Sequence, residues 1–121
     1  MSKRKAFESE TPLTPAIFYI LMTLAIKERH GYDIMKQVEK DSDEKIKMGP
    51  GTLYGAIKRM LESKLIMEVE SAHARRKYYK LTDKGRSIFL RELLRYNRAV
   101  ELAKDKKIFK PATAKLALAY E

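Results

Sequence analysis

With 121 residues, 45% apolar and 35% charged, the chain is expected to form one folded domain with a modest core, which excludes wholesale disorder. Lys and Arg number 26 against 16 Asp and Glu, and the formal charge of +10 favours a polyanionic partner, nucleic acid before anionic membrane. The absence of cysteine excludes disulfides, thiol chemistry and cysteine-bound zinc, and fits a reducing cytoplasm.

Residues 1–10 are polar and mixed in charge, with no apolar run behind Lys3, Arg4 and Lys5, so a flexible N-terminus is expected rather than a signal peptide. Thr14-Pro15 supplies an N-cap followed by proline at the first helical position, which predicts a helix over about 15–28. That segment is apolar almost all round, through Ile17, Phe18, Tyr19, Ile20, Leu21 and Met22. It falls far short of the roughly 20 residues of a bilayer crossing, so no membrane association is expected. A helix without a polar face needs cover on more than one side, which in a chain this small points to a second subunit.

Gly31, after the cationic turn of residues 27–30, is expected to end this helix. A second helix over about 32–43 places Tyr32, Ile34, Met35 and Val38 on one face. A polar linker then leads into Gly49-Pro50-Gly51 and a third helix over about 51–63. Its core stripe is Leu53, Ala56, Ile57, Met60 and Leu61, opposite Gly51, Gly55, Lys58, Arg59 and Glu62. Residues 65–70 and 77–81 have strand composition and, joined by a short tip, predict a two-stranded wing. Thr82-Asp83 caps a long helix to about residue 105, with Ile88, Phe89, Leu93, Tyr96, Val100 and Ala103 as its apolar stripe. Pro111 breaks the chain before a short final helix over about 112–120.

The expected fold is mainly α with a small two-stranded β wing: a winged helix-turn-helix with N- and C-terminal dimerisation helices. Residues 11–82 would be the DNA-binding domain and 83–121 the dimerisation helix and tail. The third helix, entered through a Gly/Pro turn, would present its N-terminus to a phosphate backbone and its side chains to a groove. Candidate contacts there are Gly51, Thr52, Tyr54, Lys58 and Arg59, although the Thr52 hydroxyl suits an N-cap equally well. Tyr32 and Lys36 start the helix that crosses the backbone in such folds, and Lys47 lies in the linker. Arg75, Arg76 and Lys77 suit a phosphate or minor-groove probe, with His73 a bystander at the same tip. Tyr78 and Tyr79 point to opposite faces of their strand, so one belongs to the core.

Met48-Gly49-Pro50-Gly51-Thr52-Leu53-Tyr54 combines with Gly31-Tyr32-Asp33-Ile34, Arg75-Arg76-Lys77-Tyr78-Tyr79 and Leu81-Thr82-Asp83-Lys84-Gly85. On these motifs the chain resembles the PadR family of transcriptional regulators over about residues 13–95. The resemblance implies a homodimer on a partly palindromic operator, usually a repressor, with the C-terminal helix completing the dimer. The tip here reads Ala72-His73-Ala74, where family wings commonly hold glycine. Ile17, Phe18, Leu21, Phe89, Leu93, Tyr96 and Val100 are the candidate dimer seam. The alternatives are a sensor with a pocket for a small hydrophobic or aromatic effector at that seam, a non-specific architectural DNA-binding protein of the nucleoid, and a winged helix used as a protein-interaction module.

No enzyme is expected. Gly49, Gly51 and Gly55 miss the G-x-G-x-x-G spacing and no Gly-Lys-Ser/Thr follows. Two distant histidines and no cysteine make no metal site, and no cofactor is expected.

Overall fold

The computed structural model describes residues 12–70 and 75–118. The N-terminal ten residues, the tip residues Ala72, His73 and Ala74, and the last residues of the expected final helix lie outside the described residues. In chain order the elements are α1 (Pro15–Ile26), β1 (Arg29–His30), α2 (Gly31–Asp41), α3 (Pro50–Glu62), β2 (Ile66–Val69), β3 (Tyr78–Leu81), α4 (Asp83–Asp105) and α5 (Pro111–Leu118).

The sheet has three strands rather than the expected two, in the order β1-β3-β2 and antiparallel throughout. The extra strand arises because α1 stops two residues early. Lys27 is extended, and Arg29 and His30 pair with Tyr79 and Tyr78. Gly31 therefore opens α2 instead of closing α1. Arg29 is fixed in this turn: Nε donates to the Thr23 carbonyl at 3.1 Å and Nη1 to the Asp33 carboxylate at 3.2 Å. A buried guanidinium satisfied on both sides locks the α1–α2 corner that the sheet edge needs.

α1 is the centre of the core. Ile17, Phe18, Ile20, Leu21 and Leu24 are buried, and the helix is covered by α2, β3 and α4 of the same chain. The expectation that Ile17, Phe18, Leu21 and Phe89 form a seam with a second subunit is corrected accordingly: all four are buried in the chain's own core. Phe18 stacks against Phe89 and Tyr96 with ring centroids 5.4 and 5.0 Å apart. Of the two adjacent tyrosines, Tyr79 is the one that enters the core.

Glu92 is the one acid among the buried side chains of α4, 1% exposed. Its carboxylate accepts from the Leu13 backbone N–H at 3.0 Å and from the Tyr96 hydroxyl at 3.2 Å, and is paired with Arg95. These contacts tie the entry of α1 to the middle of α4. Burial, then the facing Glu92 carboxylate, raises the Tyr96 phenol above its ordinary 10.0.

α2, α3 and α4 all end in the same way. Asp43, Lys64 and Lys107 take positive φ of 57, 62 and 61°, with Glu44 following Asp43 at 63°, and paired backbone bonds close each helix; at α3 these are Lys64 N–H to Leu61 O and Leu65 N–H to Met60 O. Glycine is the residue this position favours. Lys64→Gly is therefore expected to raise stability by about 1 kcal/mol, measured by urea denaturation, because it removes the left-handed strain and keeps the backbone bonds.

Candidate nucleic-acid interface

One end of the molecule gathers α3, the N-terminus of α2 and the wing. In α3, Leu53, Ala56, Ile57 and Met60 are buried, and this stripe turns Gly51, Thr52, Tyr54, Gly55, Lys58 and Arg59 outward. The N-termini of α1, α2 and α4 are capped by side chains, from Thr14, His30 and Thr82. α3 has Gly49 at its N-cap and no side-chain cap. Thr52 sits in its first turn, exposed, and does not take the capping role. An end of this kind presents backbone N–H groups and the positive end of the helix dipole to whatever approaches. Gly51 and Gly55 face open space, where an added Cβ meets nothing within 4 Å, so no internal contact requires glycine there.

Tyr54 connects α3 to the rest of the site. It is 49% exposed, yet its hydroxyl lies over Gly31, where a Cβ would stand 2.3 Å from it. Gly31 thus leaves the space that this tyrosine fills. Beside the pair opens a cleft of about 380 Å³ lined by His30, Gly31, Tyr32, Tyr54, Arg75, Arg76, Lys77 and Tyr79. Five of the twelve expected DNA-contact residues meet in this cleft, and among the described residues no carboxylate lines it. Asp33, in the first turn of α2, is engaged by Arg29. Burial, followed by Glu68 and Tyr54, raises the Tyr79 phenol above its ordinary 10.0.

The remaining candidates lie around the cleft. Lys36 places Nζ 5.7 Å from the centroid of the Tyr32 ring, and both side chains are exposed. Gly51, Thr52, Lys58 and Arg59 form the adjoining outer face of α3. Lys47 stands apart on the linker, 4.0 Å from Glu44. His73 lies outside the described residues. Sequence reasoning missed His30 and Gly31. Histidine is not among the usual N-cap residues, so no sequence signal marked His30 as the cap of α2.

The expected seam on α4 divides into two stripes. Ile88, Phe89 and Glu92 turn into the chain's own core, while Leu90, Leu93, Leu94 and Val100 turn outward and are exposed. With Tyr96 and Asn97 they line an apolar groove of about 490 Å³. Leu90 and Leu94 were not anticipated as seam residues. Among the described residues no helix is long and apolar enough to cross a membrane, and no group of three or more His, Asp and Glu could hold a metal ion.

Three helices, a small antiparallel sheet with a hairpin wing, and a long helix following them define a winged helix-turn-helix regulator. The family model of the transcriptional regulator PadR-like family matches residues 20–91, more than half of the chain. The chain belongs to this family, one of regulators rather than enzymes. "Uncharacterized protein X" of Lysinibacillus sphaericus is 31% identical over 80 residues, 63% of this chain and 72% of that protein. A PadR family transcription regulator from Clostridium difficile is 28% identical, with a TM-score of 0.64 over 76% of this chain and 97% of that one. The complex structure of hsRosR-S4 matches with a TM-score of 0.69 at 23% identity, over 96% and 99% of the two chains, a likeness of fold alone.

Proposed function

We propose that this regulator binds duplex DNA as a homodimer and represses transcription from a partly palindromic operator. The observation that carries this reading is the continuity of one cationic surface. The outer face of α3, with Lys58 and Arg59, runs through Tyr54 into a cleft holding three cations and, among the described residues, no carboxylate. Each α3 would enter a major groove N-terminus first. Arg75, Arg76 and Lys77 would contact the neighbouring backbone or minor groove, and Tyr32 and Lys36 the phosphates between. Two-fold symmetry sets half-sites about 10 bp apart or a multiple of it.

The apolar outer face of α4 supports the dimer. Leu90, Leu93, Leu94, Asn97 and Val100 recur at helical spacing on one exposed stripe, and a stripe of this kind gains by covering another copy of itself. The groove along it supports a second role, the seating of a small hydrophobic or aromatic effector between protomers, since its volume falls within the range of small-molecule sites. A hydrophobic dye that binds the dimer stoichiometrically and releases it from DNA would establish that role; a dye that leaves DNA binding unchanged would remove it.

Readout and positioning are expected to separate by residue. Lys58→Ala should cost about tenfold on a preferred duplex and much less on an arbitrary one, whereas Arg75→Ala should weaken both alike. Titrations of both variants against both duplexes measure this, and equal losses for the two variants would contradict the division.

A further inference from the structure

His30 stands between two donors. Its Nδ1 is 3.3 Å from the backbone N–H of Asp33, which it caps, and its Nε2 is 3.0 Å from Nη1 of Arg76. A neutral imidazole accepts at one nitrogen and donates at the other, and a guanidinium only donates. The two contacts therefore cannot both be hydrogen bonds, and a doubly protonated ring would oppose donors on both sides. The cap is the contact that prevails, because the Asp33 N–H is fixed by α2 whereas Arg76 is a long, exposed side chain. The ring is further held edge-on against Tyr78, with centroids 5.4 Å apart. His30 is thus set as the Nε2–H tautomer, aiming a donor at another donor inside a cleft whose described lining holds no acid.

An anionic oxygen between Nε2–H and Arg76 turns this opposition into two hydrogen bonds. We propose that His30 and Arg76 together clamp one phosphodiester of duplex DNA, in a cleft whose other walls include Tyr54, Arg75 and Lys77. His30 then joins two parts of the reader. It caps the helix that crosses the backbone and shares a phosphate with the wing, so wing and helix are registered on the same strand. The assignment rests on the DNA-binding reading above.

His30→Asn tests it in the full chain, because asparagine retains the cap and loses the Nε2 donor. The variant is expected to keep the wild-type melting temperature. It should bind preferred and arbitrary duplexes about a hundredfold more weakly, about tenfold for the hydrogen bond to a charged group lost in each protomer. Its salt dependence should match wild type, since no charge is lost, whereas Arg76→Ala should weaken binding and lower the salt slope by about two, one for each protomer of the proposed dimer. The double variant should lose little more than the worse single one, as a shared phosphate requires. Nitrogen-15 NMR of His30 should show Nε2–H before duplex is added and a shifted, protected Nε2–H after it. Wild-type affinity in His30→Asn alongside a weakened Arg76→Ala would overturn the clamp and leave DNA binding standing. So would strictly additive losses, or the same NMR change with millimolar inorganic phosphate in place of duplex. A wild-type chain that ignores duplex at low salt would overturn the DNA-binding reading itself.

Discussion

Gly85→Ala is expected to destabilise the protein by about 2 kcal/mol net, lowering the melting temperature by on the order of 10 °C. Gly85 lies in the first turn of α4, where alanine is worth about 1 kcal/mol more than glycine on helix propensity alone. Packing reverses the sign. A Cβ at this position would stand 2.0 Å from the Leu65 carbonyl oxygen and 2.9 Å from its carbon, both backbone atoms. That oxygen cannot retreat cheaply, because it accepts from the Thr82 N–H at 3.0 Å, and the Thr82 hydroxyl holds the adjoining Lys64 carbonyl at 2.6 Å. The same hydroxyl receives the Gly85 N–H at 2.9 Å, so the methyl would break the α4 cap and its seat on the α3–β2 turn together. Overpacking of this kind costs about 3 kcal/mol, which exceeds the propensity gain. Gly55→Ala is the internal control: an exposed helical position with open space, where the propensity gain of about 1 kcal/mol should appear undiminished. Thermal and urea unfolding of the two variants check the pair, and equal effects would show that propensity rather than the Leu65 contact governs position 85.

Leu94→Glu is expected to convert the proposed dimer to monomer and to reduce affinity for a two-half-site duplex by about a hundredfold or more. Leu94 lies 46% exposed in the middle of the outward stripe of α4, away from the core, so the carboxylate costs the isolated chain little. Across a two-fold interface each substitution appears twice, placing two charges in an apolar seam with no partner. The loss of affinity follows from losing the second binding event, which in the dimer is intramolecular. Sedimentation and DNA titration of the variant should move together while the circular dichroism stays native. A Leu94→Glu protein that remains dimeric would place the interface elsewhere.

Much of this was legible in the sequence, and the gaps have identifiable causes. Helix starts were set by local chemistry that tertiary structure does not override: Thr14-Pro15, Pro50 and Thr82-Asp83 open α1, α3 and α4 where expected. The ends of α3 and α4 fell within a residue of expectation although Lys64 and Lys107 occupy the left-handed positions where glycine would have marked a stop, whereas α1 ended two residues early. β1 could not be read, since two residues carry no period and their pairing depends on Arg29 reaching Thr23 and Asp33. Periodicity placed Phe89 and Leu93 on the apolar side of one helix. It could not show that Phe89 meets Phe18 of its own chain while Leu93 faces outward. At the candidate site, the outward face of α3 followed directly from its core stripe. His30 did not, because it was taken for the end of α1 when its role is to begin α2.

The most direct test is a titration of the wild-type chain against preferred and arbitrary duplexes at several salt concentrations. The proposed cationic surface predicts tight binding at low salt, a logarithmic affinity that falls steeply and linearly with the logarithm of salt, and a lasting preference for some sequences. Affinity that does not change with salt, or no binding at low salt, would contradict it.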